Sequence, residues 1–258
     1  MAARRVKAVR AVERWPKSAA VHVGNKLPTL HAMKLSIIIP VLNEAGRIAV
    51  ALIALQPLRE RGAEILVVDG GSTDGTAEIA ARGADHVITA PRGRASQQNA
   101  GAKQALGDTY LFLHSDTQLP LDADGLIADA LSDRAVFWGR FDVRFDTDQT
   151  MLRIVATMMN ARSRLTGIAT GDQCIFVRRT AFEAIGGFPT LPLMEDIALS
   201  ALLKQQSAPQ CLHNKVLTSA RRWQKNGVSR TIFLMWSLRL AYTLGVSPAR
   251  LARWYGQQ

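Results

Sequence analysis

The chain has 258 residues, of which 48% are hydrophobic, 21% charged and 6% aromatic, with 19 Gly, 10 Pro and 2 Cys. That length and apolar share can fill a sizeable core, which excludes a disordered tail, a collagen-like repeat and a disulfide-stapled miniprotein. The formal charge of +11 is concentrated at the start: residues 1–33 carry seven basic side chains against Glu13, so the other 225 residues hold about +5, too little to point to a nucleic-acid partner.

Residues 1–33 read as a basic, disordered arm, and 34–258 as a single domain. Trp15-Pro16-Lys17 and Gly24-Asn25-Lys26 interrupt any apolar core of a secretory signal. Cys174 and Cys211 have no partner at metal-ligand or redox spacing. Both features predict a cytoplasmic protein.

From Lys34 the pattern becomes regular. Leu35–Ile39 reads as a strand buried on both faces and ended by Pro40, and Asn43 as the cap of a helix over 44–60 with Ile48, Leu52, Ile53 and Leu55 near one face. A second strand over 65–68 runs into the turn Asp69-Gly70-Gly71-Ser72-Thr73-Asp74-Gly75, followed by a helix to Arg82. A third strand over 86–89, a helix over 96–106 with Ala100, Gly101, Ala102 and Ala105 for close backbone approach, and a fourth strand over 110–113 complete an alternating α/β pattern. Such alternation predicts a mostly parallel sheet with helices on both faces, and ligands at the strands' carboxyl ends.

Beyond Pro120 the rhythm is mixed: a helix over 121–131, an extended segment over 135–145, a helix over 150–165, a strand over 173–178, and short helices over 180–185 and 197–205. This half is expected to form the other wall of the same site. The apolar run 231–246, within a C-terminal helical segment 228–258, is too short and interrupted to span a bilayer. Its Trp236, with Trp254 and nearby arginines, suits a peripheral membrane contact.

Several residues can carry chemistry. The glycines of DGGSTDGT admit backbone N–H groups to a ligand, Ser72 and Thr73 add hydroxyls, and Asp69 can accept from a base or ribose; a tight turn capped by Asp74 would use the same residues. Asp116, in His114-Ser115-Asp116, suits a hard cation on a diphosphate, which takes only one or two protein carboxylates; a strand-end cap is the alternative. Glu195-Asp196 offers a carboxylate able to deprotonate a hydroxyl, although acids also stabilise a helix start. Arg221-Arg222-Trp223 can neutralise phosphate or stack on a ring.

Taken together, SIIIPVLNE, DGGSTDGT, GRASQQNAGA, LHSDT, TGDQCIFVRR, GGF, MED and RRW resemble, in order and spacing, the motifs of family 2 glycosyltransferases of the GT-A fold. RRWQKNGVSRT and WSLRLAYTLGVSP further resemble the selenium-domain-associated or arsenosugar-biosynthesis subgroup. The resemblance implies that Pro40, Asn43, Glu44, Asp69, Gly71 and Ser72 line the nucleotide pocket, with Asp69 meeting the base, usually uracil. It implies that Arg94, Gln98, Asn99 and Ser115 border the donor, that Asp116 holds Mg²⁺ or Mn²⁺, and that Asp196 is the catalytic base. Gly171, Asp172, Gln173, Glu195, Arg222 and Trp223 would shape the acceptor side.

Two positions depart from the family pattern. His114 stands where the metal motif often has a first acid, and Ser219 where processive members carry Gln or Arg. Transfer of one sugar from a nucleoside-diphosphate sugar to an acceptor hydroxyl, with inversion, is therefore expected. A transferase acting on a polyprenyl-phosphate-type lipid carrier at the inner face of the membrane, and a non-catalytic nucleotide-sugar binding protein, are the alternatives. A nucleotidyltransferase would need a Gly-rich, basic signature after the first strand, which IPVLNEAGR is not.

Overall fold

The computed structural model describes residues 33–256. The expected N-terminal arm therefore lies outside the described residues except for Met33, as do the last two residues of segment 228–258. Eight strands form one sheet: β1 (Leu35–Val41), β2 (Glu64–Asp69), β3 (His86–Thr89), β4 (Thr109–Phe112), β5 (Thr117–Gln118), β6 (Trp138–Phe145), β7 (Ile175–Arg178) and β8 (Gln210–Thr218), in the order β3-β2-β1-β4-β7-β6-β8-β5. The first four are parallel, β7 runs antiparallel to both β4 and β6, β8 is parallel to β6, and β5 is antiparallel to β8. Helices α1 (Ala45–Glu60), α2 (Thr76–Ala80), α3 (Arg94–Gln104), α4 (Ala123–Ala130), α5 (Thr150–Thr166), α6 (Arg179–Ala184), α7 (Glu195–Leu203), α8 (Arg221–Asn226), α9 (Val228–Thr243) and α10 (Pro248–Trp254) accompany it. This is a mixed α/β architecture whose parallel first half is what the alternation predicts, and it is of the GT-A type that the motif resemblance implies.

The pleat explains why β1 and β2 are apolar throughout. Ile37, Ile39, Val41, Ile65 and Val67 enter one buried cluster with Ile48, Leu52, Leu55 and Leu58 of α1, while Ile38, Leu66 and Val68 enter another with Ala95 and Ala102 of α3. Successive side chains point to opposite faces, and both faces are covered. Ile53, expected with the buried face of α1, is instead 70% exposed: one residue beyond Leu52 turns it about 100° away.

The small residues of α3 approach side chains, not the expected backbone. A Cβ on Gly101 would lie 2.5 Å from Ile38 Cγ2 and 2.9 Å from Val68 Cγ2, so the glycine seats the helix on the sheet. Asn43 does not cap α1. It sits at φ 53°, Glu44 takes the cap position, and Asp74 reaches across from the next loop to accept from Ala45 N–H at 3.0 Å.

The second half differs more from expectation. β8 and the two-residue β5 had no alternating pattern to announce them, β8 reading Gln-Cys-Leu-His-Asn-Lys with mostly exposed positions. Strand β6 begins at Trp138, not Ala135, and Gly171–Gln173 is a 3₁₀ turn preceding β7. The C-terminal segment 228–258 is two helices, α9 and α10, parted at Leu244-Gly245-Val246-Ser247 and preceded by α8 across Gly227, and no described helix is long and apolar enough to cross a membrane.

Gly139 of β6 is where the sheet is most tightly closed. A Cβ there would collide with the Gln210 carbonyl oxygen of β8 and the Phe176 ring of β7. Overpacking of this kind costs about 1–3 kcal/mol. Gly139→Ala is expected to lose that much in urea unfolding, and an unchanged midpoint would mean that the three strands have room to part.

Candidate active site

The loops after β1, β2 and β4 open on one rim, because Val41 is level with Asp69 and Ile38 with Phe112. Strand β1 lies between β2 and β4, so the turns after those two strands lie two strand spacings, roughly 10 Å, apart.

Two of these loops are locked together. Asn43 N–H donates to Ser72 Oγ (2.8 Å), Asn43 Oδ1 accepts from Thr73 N–H (2.9 Å), and Glu44 N–H donates to Thr76 Oγ1 (2.8 Å). Asp69, nearly buried, accepts from the N–H groups of Gly71 (3.0 Å) and Ser72 (2.9 Å) and from the Ser72 hydroxyl, while Gly71 holds φ 91°. Asn43, Asp69, Gly71 and Ser72 thus first of all shape the turn, and any base contact by Asp69 must share oxygens already accepting from that turn. Pro40 is half-buried in β1, and Glu44 pairs with Arg47 at 3.2 Å.

Helix α3 brings the next group. Arg94 opens it, with Nη1 3.8 Å from Glu195 Oε1. Gln98 is buried with its Oε1 unpartnered among the described residues. The Asn99 amide is engaged by backbone: it donates to Phe188 O (2.8 Å) and accepts from Phe188 N–H (2.9 Å), pinning the Gly186-Gly187-Phe188 turn.

The turn after β4 meets the acceptor wall. His114 Nδ1 stands 3.3 Å from Asp172 Oδ1, and a Cβ on Gly171 would lie 2.7 Å from His114 Nε2. Gly171 N–H donates to Asp196 Oδ2 (2.8 Å), whose Oδ1 accepts from Ile197 N–H (2.7 Å). His114, Gly171, Asp172, Glu195, Asp196 and Arg94 therefore form one contiguous group. Ser115 and Asp116 follow directly, both half-buried, and no described residue donates a hydrogen bond to the Asp116 carboxylate.

Gln173 and Trp223 both make packing or bracing contacts within the protein. Gln173 is fully buried and completes a capping box with Thr170 while its Nε2 reaches Asn160 Oδ1 at 3.4 Å, so it braces the turn from beneath. Trp223, half-buried, packs edge-on against Phe145 of the core, centroids 5.5 Å apart. Arg222 remains at the site, its guanidinium 3.9 Å over the Tyr255 ring.

The charges here are mutually dependent. Burial tends to raise the Asp172 carboxyl, but His114, Arg94 and Arg222 together hold it below its ordinary value. Glu195 goes the other way: burial first, then adjacent Asp196, push it up against the opposing pull of Arg94. Two arginines were not singled out by sequence. Burial brings the Arg162 guanidinium of α5 down to about 10, with Arg239 of α9 adding repulsion and Asp196 opposing it; Arg239 is lowered by burial and opposed by Asp196 and Asp172. Arg162 Nη2 is buried without a partner among the described residues. The only hint in the sequence was that Arg239 interrupts an apolar run.

A divalent cation fits this rim on the chemistry of its donors. No cluster of three or more His, Cys, Asp or Glu exists among the described residues, yet a cation shared with a diphosphate needs only one or two carboxylates. Asp116 offers one with its oxygens unengaged.

A mixed sheet covered on both faces, with polar loops gathered on one rim, defines the GT-A fold class. Residues 36–186 match the description "Glycosyl transferase family 2", and the chain belongs to that family. It is 37% identical over 103 residues to the succinoglycan biosynthesis protein ExoA of Rhizobium meliloti (strain 1021), covering 39% of this chain and 31% of that protein. The chain thus spans about a third of the curated relative. Among solved structures, the mannosyltransferase PcManGT from Pyrobaculum calidifontis, in complex with GDP-Man and Mn²⁺, superposes with a TM-score of 0.57 at 22% identity over 82% of this chain and 62% of that one. S. aureus TarS 1-349 with UDP-GlcNAc gives 0.59 at 20% identity, over 72% and 58%. Glucosyl-3-phosphoglycerate synthase from Mycobacterium tuberculosis, with Mn²⁺ and UDP, gives 0.54 at 17%, over 72% and 71%.

Because the folded state raises the Glu195 carboxyl, its penalty is absent below the ordinary value of 4.5 and grows as pH rises through the folded value. Glu195→Gln is expected to melt higher than the wild type near neutral pH, with the gap closing towards about pH 4. Thermal unfolding across pH tests this, and a lower melting point at neutral pH would show that the Arg94 pairing outweighs desolvation.

Proposed function

We propose that this family 2 glycosyltransferase moves one sugar from a nucleoside-diphosphate sugar, with uridine as the nucleoside, to an acceptor hydroxyl with inversion. The observation carrying this reading is the division of labour between two carboxylates: Asp196 is fixed by Gly171 N–H, whereas Asp116, two residues beyond His114, is unengaged.

In this reading the donor lies across the rim, with Asn43, Glu44, Asp69, Gly71 and Ser72 at the nucleoside and Arg94, Gln98 and Ser115 towards the diphosphate. A divalent cation, Mg²⁺ or Mn²⁺, would be held by Asp116 and supply countercharge to the leaving diphosphate; the donors and Mn²⁺ named for PcManGT and the synthase support this. The acceptor oxygen attacks the anomeric carbon on the face opposite the diphosphate. As the new bond forms and the bond to the diphosphate breaks, the hydroxyl proton passes to Asp196. The hydrogen bonds on both Asp196 oxygens aim the carboxylate and still leave it a lone pair for that proton.

Gly171 and Asp172 shape the acceptor side, and Arg94, Arg162, Arg222 and Arg239 counter charge there. Ser219 supports a single transfer, and the C-terminal pattern supports the selenium-domain-associated or arsenosugar subgroup. A cytoplasmic location at the inner face of the membrane, with a lipid-borne acceptor, is a second reading, favoured by the exposed apolar residues of α9.

Asp116→Ala and Asp196→Asn are each expected to lower transfer of labelled sugar by about 10²–10⁴-fold. Only Asp116→Ala should also weaken the Mn²⁺-dependent stabilisation of the protein by UDP in a thermal-shift assay. Equal loss of UDP binding in both variants would remove the two-carboxylate assignment.

A further inference from the structure

Helix α9 has two faces with different environments. Its inner face, through Leu234, Leu238, Ala241 and Tyr242, joins Leu251 and Ala252 of α10 in covering Leu193 and Met194, the residues just before Glu195. Its outer face carries Phe233 (77% exposed), Trp236 (62%), Leu240 (62%) and Leu244 (76%). The spacings of three, four and four residues put these on one stripe, about 16 Å long. Trp254 of α10 is also 56% exposed.

The charge that the C-terminal helices themselves carry has one sign. Asp196 is the last acidic residue of the chain, and the 62 residues after it contain nine Lys and Arg. Arg230, one turn before Phe233, and Arg250 and Arg253 of α10 are all exposed. A second copy of the chain would bring like charges together on such a face. An anionic lipid surface offers both an apolar layer for Phe, Trp and Leu and countercharge for the arginines.

We propose that the outer face of α9, with Trp254, docks peripherally on an anionic bilayer, lying in the interface without crossing it. This deepens the membrane reading above by assigning the contact residues and the lipid charge. The inner face of the same helix covers the Met194 turn, so docking places the acceptor wall near the headgroups.

The test is sedimentation of the full chain with vesicles of phosphatidylcholine alone or containing phosphatidylglycerol, at low and high salt. Binding is expected only with the anionic lipid, weaker at high salt, with a blue shift of Trp fluorescence. The triple variant Phe233→Ser, Trp236→Ser, Leu240→Ser should bind at least tenfold less while keeping the UDP-dependent thermal shift of the wild type, which shows that it folds. Failure of the wild type to bind overturns the proposal. So does undiminished binding by the variant, which would assign the contact to residues 1–32, or a concentration-dependent dimer that the variant abolishes. If vesicle binding behaves as expected but no nucleotide shifts the melting point, the donor reading fails and the docking surface stands.

Discussion

The side of the rim that carries Asp172 and Asp196 is closed by one hydrogen bond, from Gly171 N–H to Asp196 Oδ2. It ties the 3₁₀ turn before β7 to the first turn of α7, and it forms only because residue 171 has no side chain: His114 occupies the space a Cβ would need. The turn is braced from below. Gln173 bonds Thr170 and Asn160, and Asn160 in turn donates to and accepts from the backbone of Val143 in β6. An acid at the rim is thereby referred, through three side chains, to the middle of the sheet. A carboxylate positioned this way loses little orientational freedom when a substrate arrives, which is what proton transfer in a short-lived geometry requires.

Backbone strain follows the same outline. Asn43, Cys174 and Met194 are the non-glycine residues with positive φ among those described, and they lie in the loop after β1, directly after the 3₁₀ turn, and directly before Glu195. Such conformations cost on the order of 1–3 kcal/mol each and persist where surrounding contacts determine them. Asn43 is held by Ser72 and Thr73, and Met194 by the cluster of Leu193, Leu238, Leu251 and Ala252. The C-terminal helices therefore help hold the residue that starts α7. This also explains why a segment that reads as a simple apolar helix has so few fully buried residues: Thr231 and Leu238 alone in α9.

What the sequence discloses depends on how local the cause is. The parallel half was legible because β1, β2 and β4 are buried on both faces and the helices beside them seat small or aliphatic faces, so the pattern is written within a few residues. β8 was not, because its place in the sheet comes from β6 and β5 on either side, while most of its own side chains remain outside the main core. The site shows the same division. Glycines and acids at strand ends announced the rim, but nothing near Asn99 in the sequence reveals that its amide is consumed by Phe188, 89 residues on. Arg162 and Arg239 reach the rim from two different helices, so neither sits in a motif.

The distribution of charge links the site to the outer surface. Four acids, Asp116, Asp172, Glu195 and Asp196, lie on or beside the rim, and the arginines that face them come from α3, α5, α8 and α9. The acids come from the first 196 residues, while Arg222 and Arg239 belong to the acid-free remainder. A C-terminal segment of one charge sign can meet an acidic rim on its inner side only by leaving positive charge unmatched on its outer side. In the proposed reading the inner arginines counter the charge of the acids, and the outer ones, exposed on α9 and α10, are available to an external anionic surface. The same compositional bias thus serves two surfaces of one helical layer, because α9 is thin enough for its two faces to meet different partners.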